Sequence, residues 1–126
     1  MSMFKANPVH WFEIPVLDIL RARDFYEYVM DCKLSLQEIK MMRMATFPVI
    51  ENAKGAPGAL VQAKGYEPHH SGTVVYFSVE DINTVLQRVQ EKGGNVLIPK
   101  TSIGEHGFIA HFEDLEGNQI ALHSVT

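Results

Sequence analysis

At 126 residues the chain has the commonest length for one domain, and 46% hydrophobic with 21% charged residues is a globular composition that argues against disorder. A net charge of −4 with scattered basic residues supplies neither the clustered positive face that nucleic acid requires nor a patch for a membrane surface. Cys32, the single cysteine, excludes an internal disulfide and a thiolate metal site, and reads as a small buried apolar residue rather than a nucleophile.

The opening run Met1-Ser2-Met3-Phe4-Lys5 lacks the apolar core of a signal peptide, and no apolar run reaches membrane-spanning length, so a cytoplasmic location is expected. Residues 10–16 are aromatic, apolar and β-branched and predict a strand, with Pro15 marking an edge or an irregular exit. Asp18 is placed to cap a helix, because its carboxylate can accept from a free helical N–H. Ile19, Ala22, Phe25, Tyr26, Val29 and Met30 then recur at three- and four-residue intervals, which predicts an amphipathic helix. Residues 34–39 and 41–49 suit two strands of a meander, the second limited by Pro48. The turn-rich stretch 51–58 leads to a third short strand at 59–63. Polar residues 64–72, with Gly65, Pro68, His69 and His70, read as a linker.

The order then repeats. Residues 73–79 predict a strand, Asp81 a cap, and Ile82, Val85, Leu86 and Val89 a second apolar helical stripe. Gly93-Gly94 suit a left-handed helix terminus. Strands are expected at 95–98, 108–112 and 119–123, with Glu116-Gly117-Asn118 turning the chain between the last two. Val16-x-Asp18-Ile19 recurs as Val79-x-Asp81-Ile82 at a shift of 63 residues, and Ala59-Leu60 answers Ala121-Leu122 at a shift of 62. The chain is therefore an internal duplication of strand, capped helix and three strands.

The passages Phe12-Glu13-Ile14-Pro15-Val16-x-Asp18, Arg21-Ala22-x-x-Phe25-Tyr26, Phe77-Ser78-Val79-x-Asp81 and Phe112-Glu113-Asp114-x-Glu116-Gly117-Asn118-x-Ile120-x-Leu122 together resemble the vicinal oxygen chelate superfamily. That superfamily includes glyoxalase I, extradiol dioxygenases, epimerases, fosfomycin-destroying thiol transferases and bleomycin-resistance proteins. The resemblance implies an α+β fold of two βαβββ modules, with curled mixed sheets enclosing a cleft and helices outside. The modules would occupy residues 7–63 and 73–125, joined by the linker at 64–72, within one domain spanning 1–126. It also implies a homodimer. It does not select a reaction, since the same fold serves many.

In metal-dependent relatives, ligands project from the first and last strands of each module. Matched through the Val-x-Asp and Gly-Asn-x-Ile motifs, those positions fall on Trp11, approximately Ala59, Val74 and Ala121, whose side chains cannot bind a divalent metal. Because strand side chains alternate, Glu13, Tyr76 and His123 each share a face with one of these positions, two residues along. His111, on the preceding strand, joins the group if the sheet curls. Two roles follow from this displaced cluster. In one, Glu13 and His123, with or without His111, hold a divalent metal at a shifted site. In the other, which the residue types favour, Glu13 and His123 serve as catalytic or anchoring groups while Tyr76 and His111 bind substrate against the Trp11 wall.

His69 and His70 read as solvated linker histidines, and His10 packs away from the Glu13 face. Glu105-His106, flanked by Gly104 and Gly107, forms a surface turn or a loop that closes over a ligand. Met42 and Met44 share one strand face and Met41 the other, so only one set lines the cleft. Three functions remain: a glyoxalase-like lyase, isomerase or dioxygenase with a displaced or absent metal site, a non-catalytic protein that sequesters a small molecule, as antibiotic-binding relatives do, and an interaction module with no ligand.

Overall fold

The computed structural model describes residues 2–126; Met1, the first residue of the run read against a signal peptide, lies outside them. The first module runs β1 (Phe12–Pro15), α1 (Ile19–Val29), β2 (Ser35–Ile39), β3 (Met42–Thr46) and β4 (Gly58–Gln62). The second runs β5 (Val75–Ser78), α2 (Ile82–Glu91), β6 (Asn95–Ser102), β7 (Phe108–Glu113) and β8 (Gln119–Ser124), with a short 3-10 turn at Gly104–His106. Each module forms its own four-stranded mixed sheet, ordered β1-β4-β3-β2 and β5-β8-β7-β6. The first strand of each lies parallel to the last, and the other pairs are antiparallel. The duplicated α+β architecture expected from the chain is present.

Both helices begin as their sequences predict. Asp18 accepts from the Arg21 N–H at 3.2 Å, and Asp81 from the Thr84 N–H at 3.2 Å. At the end of α2, the Gly93 N–H bonds to Gln90 O and the Gly94 N–H to Val89 O, with Gly93 at φ +90°. That is the reverse turn a left-handed glycine permits. Strand limits shift where pairing decides them. β6 runs four residues past the expected 98, because it follows β7 as far as Ser102↔Phe108. Its register slips around Pro99, which has no N–H to donate. Met41 is not on a strand face at all: it sits 90% exposed in the β2–β3 turn, after Lys40 at φ +56°.

One apolar core serves both modules. The predicted helical stripes, Ile19, Ala22, Phe25, Tyr26 and Val29 on α1 and Ile82, Val85, Leu86 and Val89 on α2, are buried. Aromatic contacts cross between modules: Phe12 meets Phe77 edge-on at 5.6 Å between ring centroids, Phe47 meets Phe77 at 5.4 Å, and Phe25 meets Phe112 at 6.3 Å. Such pairs each add about 0.5–1.5 kcal/mol beyond the area they bury. Cys32 is only half-buried; it packs against this core, and burial pushes its thiol up.

The turn between β7 and β8 fastens the second module to the first. Asp114 Oδ1 accepts from the Glu116 and Asn118 N–H groups at 2.8 and 2.9 Å, closing the turn on itself. Its Oδ2 accepts from the Tyr26 hydroxyl at 2.6 Å and from Asn118 Nδ2 at 3.1 Å. Asn118 Nδ2 also donates to Pro15 O at 2.7 Å. Glu116, its side chain 1% exposed, accepts from the Leu17 and Asp18 N–H groups and pairs with Arg21 at 2.8 Å. An acid at this end of α1 also complements the helix dipole.

Candidate functional site

Strand alternation divides each sheet into a core face and a helix-free face. Phe12 and Ile14 belong to the core, so Trp11, Glu13 and Pro15 point the other way. The Cα partners Glu13↔Ala59 and Pro15↔Val61 continue that face onto β4, and Met44↔Val61 and Thr46↔Ala59 carry it onto β3. On the second sheet, Tyr76↔Ala121 and Ser78↔His123 set the matching face, extended to His111 and Ile109 on β7. Met42 and Met44 therefore lie on the helix-free face.

A cleft of about 760 Å³ opens where β1 and β5 meet, within the range of about 300–1,000 Å³ usual for small-ligand sites. Trp11, Phe12 and Glu13 form one wall and Val74, Tyr76 and Phe77 the other, with Lys54 at the rim. Trp11 and Tyr76 are 38% and 52% exposed, far above the buried aromatics of the core.

Two polar clusters bear on this cleft. On the β1 wall, Glu13 Oε1 accepts from the Tyr66 hydroxyl at 2.8 Å and Oε2 from Trp11 Nε1 at 3.2 Å. The bond to Glu13 also pushes the Tyr66 phenol up. On the β5 wall, the Tyr76 hydroxyl meets His111 Nε2 at 3.1 Å, and the other ring nitrogen of His111 meets Gln119 Nε2 at 2.9 Å. His111 is 9% exposed, so this chain runs inward from the cleft wall.

The residues singled out from sequence are thus distributed unevenly. Trp11, Glu13 and Tyr76 share the cleft, and Tyr76 reaches His111. His123 is engaged elsewhere: its Nε2 donates to the His106 carbonyl at 2.6 Å. Gly107 follows His106 directly. At φ +101° it brings the turn so close to β8 that a Cβ would stand 2.3 Å from Ser124 O. His70 is not simply solvated, since its Nε2 pairs with Glu113 at 2.6 Å. Asn95 first and His70 second hold the Glu113 carboxyl below its usual range. His10 is exposed and lies outside the cleft lining. Tyr66, bonded to Glu13, and Gln119, bonded to His111, belong to the two polar clusters without having been expected from the sequence.

The residues at the family's metal positions do not fit a divalent ion. Trp11, Ala59, Val74 and Ala121 carry no ligating atom that suits one, and Ala59 and Ala121 are fully buried. Among the described residues, no three His, Cys, Asp or Glu side chains group as a metal site.

Two βαβββ modules with a ligand-sized cleft at their seam define a class of paired-module, small-molecule-cleft proteins. The model of the Glyoxalase/Bleomycin resistance protein/Dioxygenase superfamily matches residues 9–122, and the chain belongs to that superfamily. Curated protein sequences give no match. Among solved structures, the chain is similar to TnmS3, an antibiotic binding protein from Streptomyces sp. CB03234 (27% identity, TM-score 0.67, 98% of this chain and 99% of that one). It is similar in fold to a glyoxylase/bleomycin resistance protein/dioxygenase domain from Frankia sp. EAN1pec (16% identity, TM-score 0.71, 100% and 99%). It is also similar in fold to a glyoxalase I mutant from Zea mays at 20% identity and a TM-score of 0.68, covering 93% of this chain. The chain spans only 46% of that maize protein.

Proposed function

We propose that the chain binds a flat, partly aromatic small molecule in the β1–β5 cleft without a metal ion, as a sequestering or carrier protein. The observation that carries this reading is the exposure of Trp11 and Tyr76 on the walls of one cleft that Glu13 also lines. Aromatic surface left in water is unfavourable, and covering about 100 Å² of each ring is worth about 2.5 kcal/mol at about 25 cal/mol per Å². The end-to-end likeness to an antibiotic binding protein supports the same reading. Assembly as a homodimer and residence in the cytoplasm belong to this proposal. Among the described residues no helix is long and apolar enough to cross a membrane.

A catalytic reading uses the same two groups: Glu13 as a base and Tyr76 as a proton donor, facing one cleft as a metal-free lyase or isomerase would need. A thermal-shift panel of planar heteroaromatic compounds, run in EDTA, tests the binding reading. The expected result is stabilisation by a subset of planar compounds that disappears in Tyr76→Ala. A flat response across the panel would sink it. Loss of a compound's C–H deuterium label on incubation would favour catalysis over sequestration.

A further inference from the structure

The polar groups on the two cleft walls differ in the hydrogen-bond sense they offer, and His111 sets the sense of one of them. Gln119 Nε2 is an amide donor, so the His111 Nδ1 it faces at 2.9 Å is the accepting nitrogen. In a neutral imidazole the proton then resides on Nε2, and that N–H points at the Tyr76 hydroxyl at 3.1 Å. Protonation of the ring would add a proton at Nδ1, turning the Gln119 amide over, and would leave Nε2–H in place. In either state Tyr76 receives a hydrogen bond from His111, which leaves its own O–H free to donate to a ligand.

The opposite wall behaves as the complement. Glu13 already accepts one hydrogen bond on each oxygen, from Tyr66 and Trp11. Each carboxylate oxygen retains further acceptor capacity, and Glu13 has no proton to donate when ionised. Glu13 and Tyr76 occupy matching positions of the two modules, each paired to an alanine, Ala59 and Ala121. The duplication has placed an acceptor and a donor at equivalent points across one cleft.

We infer that Gln119 and His111 are positioning residues that fix Tyr76 as a hydrogen-bond donor, so that the cleft selects a planar ligand with an acceptor, such as a carbonyl, toward Tyr76 and a donor toward Glu13. This rests on the binding reading above for its ligand, but not for the relay itself.

Side-chain 15N NMR of the ligand-free protein tests the relay directly, with the His111 signals assigned by their loss in His111→Gln. The expected spectrum shows a protonated Nε2 and a bare Nδ1. In Gln119→Leu, which removes the amide donor, the ring is expected to become a mixture of tautomers. A wild-type His111 with Nδ1 protonated and Nε2 bare overturns the relay, and an unchanged tautomer in Gln119→Leu overturns the role of Gln119. The ligand specification is read with aminoacridone, which carries an amine and a ring carbonyl, against aminoanthracene, which keeps the amine and lacks the carbonyl. Wild type is expected to prefer aminoacridone by about three- to tenfold, the value of one hydrogen bond, and Tyr76→Phe to lose that preference. Equal binding of the two probes overturns the specification. Absence of saturable binding by either overturns the cleft reading instead, while the tautomer measurement still decides the relay.

Discussion

The Tyr26 hydroxyl donates to Asp114 Oδ2 across 2.6 Å, joining a helix of the first module to a turn of the second, 88 residues away. Tyr26 is fully buried and Asp114 is 4% exposed, so neither can exchange its partner for water. Tyr26→Phe leaves a buried carboxylate short of one donor. The expected loss is about 1–3 kcal/mol, measured by urea denaturation. A loss below about half a kcal/mol would mean that the contact does little to hold the modules together.

The same carboxyl makes a pH prediction. Burial holds the Asp114 carboxyl above its ordinary 3.8, outweighing the hydrogen bonds from Tyr26 and Asn118 that lower it. The folded state therefore keeps this proton longer than the unfolded state, and the contribution to stability falls as pH rises from 3.8 through the folded pKa. Glu113 has the opposite sign: its pKa is depressed below 4.5, so its contribution is present above 4.5 and lost as pH falls through the folded pKa. Stability of wild type relative to Asp114→Asn should thus decline with rising pH, and relative to Glu113→Gln should rise. Denaturant curves across the acid range check both slopes.

Glu116 supports the start of α1 through two backbone N–H groups and Arg21. Glu116→Gln keeps an acceptor for the backbone and loses the charge, whereas Glu116→Ala loses everything. Alanine is expected to cost about 1–2 kcal/mol more than glutamine. Equal midpoints for the two variants would show that the backbone bonds add nothing.

Gly107→Ala should be poorly tolerated. The added methyl meets Ser124 O at 2.3 Å, and the residue sits at φ +101°, where a side chain is strained. The expected loss is about 2 kcal/mol or more, together with a change in the His123 NMR tautomer as its bond to the His106 carbonyl is disturbed. An undisturbed His123 signal would contradict the proposed coupling.

Much of the fold is legible in the sequence because the deciding interactions are local. Asp18 and Asp81 announce the helix starts, the apolar stripes of α1 and α2 announce their buried faces, and Gly93-Gly94 announce one helix end. Alternation likewise places Glu13 and Tyr76 on the cleft side of their strands. What local patterns could not reveal depends on long-range meetings. His70 finds Glu113 only because the linker passes beside the β7–β8 turn, where His69 bonds to Asn118 and Gln119, and Tyr66 reaches Glu13 from the same linker. His123 shares a strand face with the predicted position, yet the turn at Gly104–His106 captures its ring. Gln119 carried an available signal: it precedes Ala121 by two residues on the same face, as His123 follows it. The alternation that nominated His123 nominates Gln119 equally.

Metal addition tests whether this protein differs from metal-dependent relatives. With Trp11, Ala59, Val74 and Ala121 at the positions where those relatives place ligands, Ni²⁺, Zn²⁺ or Mn²⁺ at micromolar concentration should give no stoichiometric binding by calorimetry. A one-to-one isotherm abolished by Glu13→Gln would instead establish a shifted site.

The most direct test of the cleft's role is a titration of the purified protein with aminoacridone in EDTA, followed through Trp11, the chain's one tryptophan. Saturable quenching at one ligand per chain, weakened at least tenfold by Tyr76→Ala, is the predicted result. Quenching that never saturates, or that appears only when a divalent metal replaces the EDTA, would contradict a metal-free cleft between β1 and β5.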